Sequence, residues 1–218
     1  IKFSNRYNDS YDKAVSEFRD LLKDSVKIRL ISDVKVGTCL SGGIDSSSIA
    51  CIINSIEDSN LETFSAVFPG FDRDESKYID RVSEATGMTN NKTSPSVDDI
   101  TNELENYVKT IEEPIPGINM FAQNRVFALA NSRGTTVMID GQGADELLAG
   151  YHYFYGFYFL GLLKRGRFGL LTNELYHLIL NGDKKLPFLS FFFMILPLGL
   201  KERYFRNKSP ISKKLYND

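Results

Sequence analysis

Three serines, two glycines and one aspartate fall within seven consecutive residues, Ser41 to Ser47 (SGGIDSS). Gly42 and Gly43 let a backbone come close to a ligand with no Cβ in the way. The hydroxyls of Ser41, Ser46 and Ser47, with the free N–H groups of a helix start, would aim donors at one small volume. That chemistry suits an anion, above all a phosphate. It is not the Walker A loop, because no lysine follows the glycines. Instead Asp45 sits inside the turn. A carboxylate beside a phosphate site makes sense when a divalent cation lies between them, and Mg²⁺ typically takes one or two carboxylates plus substrate phosphates. The residues predict a nucleotide site with Mg²⁺.

The elements around the turn are those needed to hold it. Val36 to Leu40 reads as a buried strand entering the glycines, and Asp45 to Ser55 as the helix leaving them, with Ile49, Ile52 and Ile53 inward. A second glycine turn follows about 100 residues later, in Val137 to Tyr151 (VMIDGQGADELLAGY). It too comes after an apolar strand, Thr135 to Asp140, and before a helix starting at Ala144. Between the two lie a strand at Leu61–Phe68, a helix at Glu75–Thr86 closed by Gly87, and a helix at Val97–Ile111. A loop at Glu112–Gly117 and a helix at Asn119–Ser132 complete the set. Thr89 to Thr93 is polar for a central strand and periodicity does not demand one there. An amphipathic helix over Asp12–Leu30 precedes the whole, with Val15, Phe18, Leu21, Leu22, Val26 and Leu30 near helical spacing. Strands alternate with helices, and the strands are short apolar runs. This is an α/β fold: a parallel sheet with helices on both faces and a mostly helical C-terminal extension. Ligands in such sheets bind beyond the carboxyl ends of the strands, which brings both glycine turns to one crevice.

SGGIDSS resembles the S-G-G-x-D-S signature of the ATP pyrophosphatases, the PP-loop enzymes. With DGQGADELLAGY after it, the chain is similar to the synthetase domain of the glutamine-dependent asparagine synthetases. The resemblance covers roughly residues 12 to 151 and also supplies a short strand at Thr89–Thr93. It implies a Rossmann-like, three-layer fold of the adenine nucleotide alpha hydrolase kind. It further implies α–β cleavage of ATP, adenylation of a substrate carboxylate, and pyrophosphate retained in the Ser41, Gly42, Gly43, Asp45, Ser46 loop. By residue-wise match, Leu40 and Val67 would flank the adenine, and Asp140 and Gly141 would lie beside the nucleoside. Asp45 and Asp145 would form the carboxylate pair around Mg²⁺–pyrophosphate. Alone, each of these acids also reads as an ordinary first-turn helix acid, and so does Glu146. Gln142 stands where some members carry an acid that handles ammonia or the β-carboxyl region, and a glutamine cannot act as a general base. Glu112 and Glu113 before Pro114 resemble a segment near the acceptor site, or are plain loop acids.

The implied reaction joins aspartate, ATP and ammonia from glutamine into asparagine. Two other readings stay open: the same chemistry on a different carboxylate, or a nucleotide-binding module without catalysis. Members of the family begin with a glutaminase domain whose N-terminal cysteine attacks glutamine, and later carry an R-V-P-F-L-D block and a lysine. This chain opens Ile1-Lys2-Phe3 and shows neither block, so it reads as part of a longer enzyme. Three segments are expected: a linker or frayed end at 1–11, the nucleotide core at 12–151, and an aromatic, basic, helical extension at 152–218.

Composition bounds the rest. Of 218 residues, 42% are hydrophobic and 25% charged, as in an ordinary globular domain. The formal net charge of −2 is uneven: residues 1–150 hold 15 Lys+Arg against 24 Asp+Glu, and residues 151–218 hold 11 against 4. The basic tail is a solvated helical face or a contact for an acidic partner. No basic stripe surrounds the glycine turn, so nucleic acid is not the expected ligand. Cys39 and Cys51 alternate with apolar neighbours and read as buried thiols; no Cys/His cluster points to zinc. That usage and the lack of a signal peptide fit the cytoplasm. The most apolar run, Pro187 to Leu200, is broken by Pro197 and too short to span a bilayer. It reads as a buried helix or an interface patch. The aromatic run from Tyr151 would face a missing domain or a second copy in a homodimer.

Overall fold

The computed structural model describes residues 9–56, 61–113, 119–180 and 185–208. The chain divides into two compact units, Ile1–Gln142 and Gly143–Asp218. Most of the expected N-terminal linker, and the loop after Glu113, lie outside the described residues.

The first unit is built on four parallel strands: β1 (Val36–Cys39), β2 (Glu62–Ala66), β3 (Asn90–Thr93) and β4 (Val137–Ile139), in the order β3-β2-β1-β4. Val36 pairs with Val137 on one side of β1, and Thr38 with Thr63 on the other. The helices are α1 (Tyr11–Arg29), α2 (Ile44–Ile56), α3 (Ser76–Thr86), α4 (Val97–Ile111) and α5 (Asn119–Ser132).

Strand alternation sorts the core into two faces. Leu40, Leu61, Val67 and Ile139 turn one way and pack with Val26 of α1, Ala50 and Ile53 of α2 and Ile79 of α3. Phe64 turns the other way and packs with Val126 and Ala130 of α5, flanked by Cys39, Ala66 and Met138. Helices therefore cover both faces of the sheet, and both faces must be apolar. That is why the strands read as continuous apolar runs. At Gly37 an added Cβ would stand 2.8 Å from the Phe64 ring and 2.9 Å from Thr135 Cγ2, so the strand needs a glycine at that point.

β3 is the exception: its asparagines are partly held by hydrogen bonds, while Asn90 Oδ1 and Asn91 Nδ2 are buried without a partner among the described residues. Asn90 Nδ2 donates to Thr63 Oγ1 at 2.7 Å and to Ser65 Oγ at 2.8 Å. Arg133 donates through Nε and a terminal nitrogen to Asn91 Oδ1, at 2.9 and 2.6 Å. These bonds to β2 and to Arg133 offset part of the cost of placing polar side chains in the sheet. Periodicity is silent at such a strand, and the resemblance located it.

Helix ends follow their local chemistry. Gly87 caps α3 at φ 70°, in the left-handed region that glycine reaches freely. α4 opens on a reciprocal cap: Asp99 N donates to Ser96 Oγ at 3.1 Å, and Ser96 N donates to Asp99 Oδ2 at 2.7 Å. The Ser96 amide and hydroxyl hold the Asp99 carboxyl below the usual carboxylate range. A depressed folded pKa means the cap stabilises fully above the ordinary aspartate value and is lost as pH falls through the folded one. Asp99→Asn is expected to flatten part of the acid limb of a Tm-against-pH curve while leaving the fold intact at neutral pH.

Two expectations are corrected here. Cys51 is exposed: on α2 the inward positions are Ser46, Ala50 and Ile53, and Cys51 falls on the outer side. The run Pro187–Leu200 is not one buried helix. It is split between α9 and α10, described below, and Leu189, Phe192 and Leu198 are exposed. The amphipathic stripe of α1 is also only half used. Val26 is buried, with Leu30 packed beside it, while Val15, Phe18 and Leu21 are exposed.

The second unit begins with the five-residue α6 (Ala144–Leu148). It continues through α7 (Tyr153–Lys164), α8 (Phe168–Leu180), α9 (Lys185–Ile195) and α10 (Leu198–Lys208). Its core is Phe159, Leu162, Leu171 and Phe191. α7 and α9 cross closely because Gly156 lies directly against Ser190, with no room for a Cβ between them. Among the described residues no helix is long and apolar enough to cross a membrane.

Candidate functional site

The site grows from the carboxyl ends of β1, β2 and β4. β1 continues one residue past its last ladder pair, with Leu40 N donating to Phe64 O at 2.9 Å and Ser65 Oγ donating to Leu40 O at 2.5 Å. The chain then turns sharply, with Gly42 at φ 83°. A Cβ there would stand 3.0 Å from Tyr78 Cβ and 3.2 Å from Glu75 O, so the start of α3 lies directly on the turn.

The serines brace the turn internally. Ser41 N donates to Ser46 Oγ at 3.1 Å, the two hydroxyl oxygens are 3.0 Å apart, and Gly43 N donates to Ser41 Oγ at 3.3 Å. Ser47 departs from the expected donor cluster. Its hydroxyl is buried and has no partner among the described residues, and Ser47 is not among the residues that line the cavity described below. The amides of Ile44, Asp45 and Ser46, at the start of α2, have no hydrogen-bond partner among the described residues. Nor has the Asp45 carboxylate, which is partly exposed in the first turn of α2. Free amides beside a free carboxylate fit a phosphate accompanied by a cation.

The second turn seats against the first. A Cβ on Gly141 would stand 3.2 Å from Ser46 N and 3.3 Å from Asp45 Cβ. Asp140 is pinned beside it, with Oδ2 accepting from Gln123 Nε2 at 2.9 Å and Oδ1 from Gly141 N at 2.6 Å. Burial, then the neighbouring Asp140 charge and its hydrogen bond, push the Cys39 thiol up to about 12. At pH 8 its thiolate is then on the order of one part in ten thousand, and the thiolate is the nucleophile. Iodoacetamide at that pH is expected to label Cys51 and spare Cys39, read by peptide mass spectrometry.

Beside these turns opens a cavity of about 340 Å³, within the range of small-molecule sites. Leu40, Ser41, Ser46, Asp140 and Gln142 line it. Val67 is buried in the same core as Leu40, and its neighbours Ala66 and Phe68 line the cavity. Arg73 and Glu75 line it from the loop after β2, and Asn119 and Gln123 from α5; motif reading missed all four. The rule that ligands sit outside strand carboxyl ends could have singled out the loop after β2.

In the second unit, Gly143 at φ 91° precedes α6, whose first turn holds Asp145 and Glu146. The Asp145 side chain folds over Gly150, where a Cβ would collide with its carboxylate. Tyr151 Oη donates to Glu146 Oε1 at 2.9 Å, which raises the tyrosine pKa. Among the described residues no group of three or more His, Cys, Asp and Glu is placed to hold a metal ion by itself.

A parallel sheet with helices on both faces, and a lysine-free glycine turn leaving its inner strand, define an α/β protein of the PP-loop kind. The family is more specific. The asparagine synthase family model matches residues 17–191, and the chain belongs to that family. It is 35% identical over 148 residues to the putative asparagine synthetase [glutamine-hydrolyzing] 2 of Methanocaldococcus jannaschii, covering 66% of this chain and 28% of that one. It is 36% identical over 146 residues to asparagine synthetase [glutamine-hydrolyzing] 1 of Bacillus subtilis, covering 66% and 22%. With the amidase chyE of Penicillium rubens it shares 31% over 160 residues, covering 66% and 24%. The chain thus spans about a quarter of the length of these relatives.

Proposed function

We propose that this chain is the ATP-binding, carboxylate-activating core of a glutamine-hydrolysing asparagine synthetase. The observation that supports it most is the SGGIDSS turn, with its unpartnered Asp45 and α2 amides, against which Gly141 of the second turn is seated. In this reading the α2 amides take the leaving pyrophosphate, where oriented donors stabilise charge as it develops. Leu40 and Val67 would flank the adenine, beside the wall that Ala66 and Phe68 form. Asp140 and Gly141 lie beside the nucleoside. Asp45 would hold Mg²⁺, which neutralises phosphate charge when bound; Asp145 as a second carboxylate rests on the family resemblance alone.

The chemistry runs in two displacements. A side-chain carboxylate oxygen of aspartate attacks the α-phosphorus; the α–β bridging P–O bond breaks and pyrophosphate leaves. Ammonia released from glutamine then attacks the acyl carbon and AMP leaves, giving the amide. Gln142 cannot take a proton as a base; it orients the acyl group or the incoming ammonia by hydrogen bonds. The supply of ATP and glutamine places the reaction in the cytoplasm.

The test is aspartate-dependent exchange of labelled pyrophosphate into ATP, made on the longest natural polypeptide containing this chain. Exchange stimulated by aspartate supports the reading, and ATP binding without exchange under any acid would mean a nucleotide-binding module instead. The similarity to a fungal amidase favours one second reading, the same adenylation on a different carboxylate. Exchange stimulated by another acid and not by aspartate would establish it.

A further inference from the structure

The cavity beside the glycine turn has an unbalanced charge. Its described lining includes the carboxyl groups of Asp140 and Glu75, and Asp45 stands next to it on α2. A nucleoside triphosphate brings several more negative charges. The glycine turn carries no lysine. Among the described lining residues the one cation is Arg73.

Arg73 is delivered there by a built loop. Asp74 Oδ1 accepts from Phe68 N at 3.0 Å and from Ser76 Oγ at 2.8 Å, tying the end of β2 to the start of α3. Phe71 N donates to Phe68 O at 3.0 Å and Asp74 N to Phe71 O at 2.9 Å, closing two successive turns. These contacts, the Phe68 amide first, hold the Asp74 carboxyl below the usual range, so it stays an acceptor at neutral pH. Two residues from Arg73, the Glu75 carbonyl oxygen rests against Gly42, 3.2 Å from where a Cβ would be. The loop that carries Arg73 is thereby fixed to the turn that would carry phosphate.

The guanidinium itself is uncommitted. Among the described residues no carboxylate lies within 4.0 Å of it and it donates no hydrogen bond, whereas Arg125 and Arg133 are each engaged. An unpaired arginine at the rim of an anion cavity has its full fork of donors available. Guanidinium matches phosphate oxygens in a bidentate way that an ammonium does not.

We infer that Arg73 is a phosphate-binding residue that clamps the β- and γ-phosphates of the nucleotide, positioned by the Asp74 staple. This rests on the nucleotide reading above and adds a cation that the glycine turn lacks. The competing oxyanion is the carboxylate of the acceptor, and the probes separate the two.

The experiment is calorimetric titration of the 218-residue chain with Mg²⁺-ATP, Mg²⁺-pyrophosphate and AMP, for wild type, Arg73→Ala and Arg73→Lys. Arg73→Ala is expected to weaken ATP and pyrophosphate at least tenfold and AMP less than twofold, with an unchanged Tm. Arg73→Lys is expected to recover part of the loss, since charge returns without the fork. ATP and pyrophosphate affinities within twofold of wild type would overturn the inference and leave the acceptor carboxylate as the ligand of Arg73. An equal loss for AMP would overturn it too, because the effect would not be on the terminal phosphates. Wild type binding none of the three would defeat the nucleotide reading itself, and this inference with it. Wild type binding with Arg73→Ala unaffected defeats only the role of Arg73.

Discussion

Replacing Gly42 with valine is expected to abolish Mg²⁺-ATP binding by this chain and to cost roughly 1–3 kcal/mol of stability, the usual range for a residue forced into a sparsely populated backbone region. Two effects add at this position. Gly42 lies at φ 83°, where a β-branched side chain is a genuine outlier. The new Cβ would also press on Tyr78 Cβ at 3.0 Å and on the backbone of Glu75 and Ile79 at 3.2 and 3.3 Å. None of these is the far end of a flexible side chain, so the turn or the start of α3 must move. Movement of either opens the anion site. Gly43 provides the contrast: it has no positive φ, and its Cβ would approach only Ser41 Oγ, at 3.3 Å. Gly43→Ala is expected to retain binding within about tenfold, a loss of 1.4 kcal/mol or less by the standard affinity conversion. Calorimetry with a parallel urea melt reads both quantities. Binding by Gly42→Val at wild-type affinity would show that the turn is not the phosphate site.

Asp45→Asn is the second large effect, and its sign depends on the metal. The amide keeps the shape of the carboxylate and removes its charge. Without Mg²⁺, a carboxylate beside phosphates repels them, so Asp45→Asn is expected to bind ATP as well as wild type or better. With Mg²⁺, the variant loses a ligand and is expected to bind ATP at least tenfold more weakly than wild type. Pyrophosphate release in the longer polypeptide is expected to fall by about two to three orders of magnitude, the scale seen when one preorganised group facing developing charge is removed. A chelator titration decides the matter: wild-type ATP affinity should fall on adding chelator, and that of Asp45→Asn should not. A variant that keeps its Mg²⁺ response would move the metal site elsewhere.

Much of this fold was legible because it was written in period and punctuation. β1, β4, α4 and α5 follow from apolar runs and caps. Gly87 marks its helix end because only an αL residue closes the turn there. β3 was not legible from hydropathy, since its stability lies in hydrogen bonds between Asn90, Thr63 and Ser65 across strands about 25 residues apart. The glycine turn was legible from residue type alone. The cavity wall was not, because strand alternation decides that Ala66 and Phe68 line it, and neither lies in a motif. Arg73 carried no local signal: an arginine in a polar loop looks solvated until the Asp74 staple ties that loop to the glycine turn. Cys51 and the Leu198 region were misjudged because apolar neighbours in sequence do not fix which side of a helix meets the core.

The register of the sheet has a consequence for how the protein is made. β1 pairs with β2 about 25 residues later but with β4 about 100 residues later, Val36 meeting Val137. On the ribosome, β1, β2 and β3 can assemble as soon as Thr93 has emerged, while one edge of β1 stays open until Ile139 appears. At roughly 5–20 residues per second, that interval lasts several seconds for each molecule. Throughout it the nascent chain presents an unpaired apolar edge, the kind of surface that pairs with other strands. Gly141, which seats the second turn on the first, arrives only when that edge closes. Closure of the sheet and seating of the second glycine turn on the first are thus one event in synthesis, so a chain stalled before residue 139 would offer chaperones an open edge and leave the glycine turn without its neighbour.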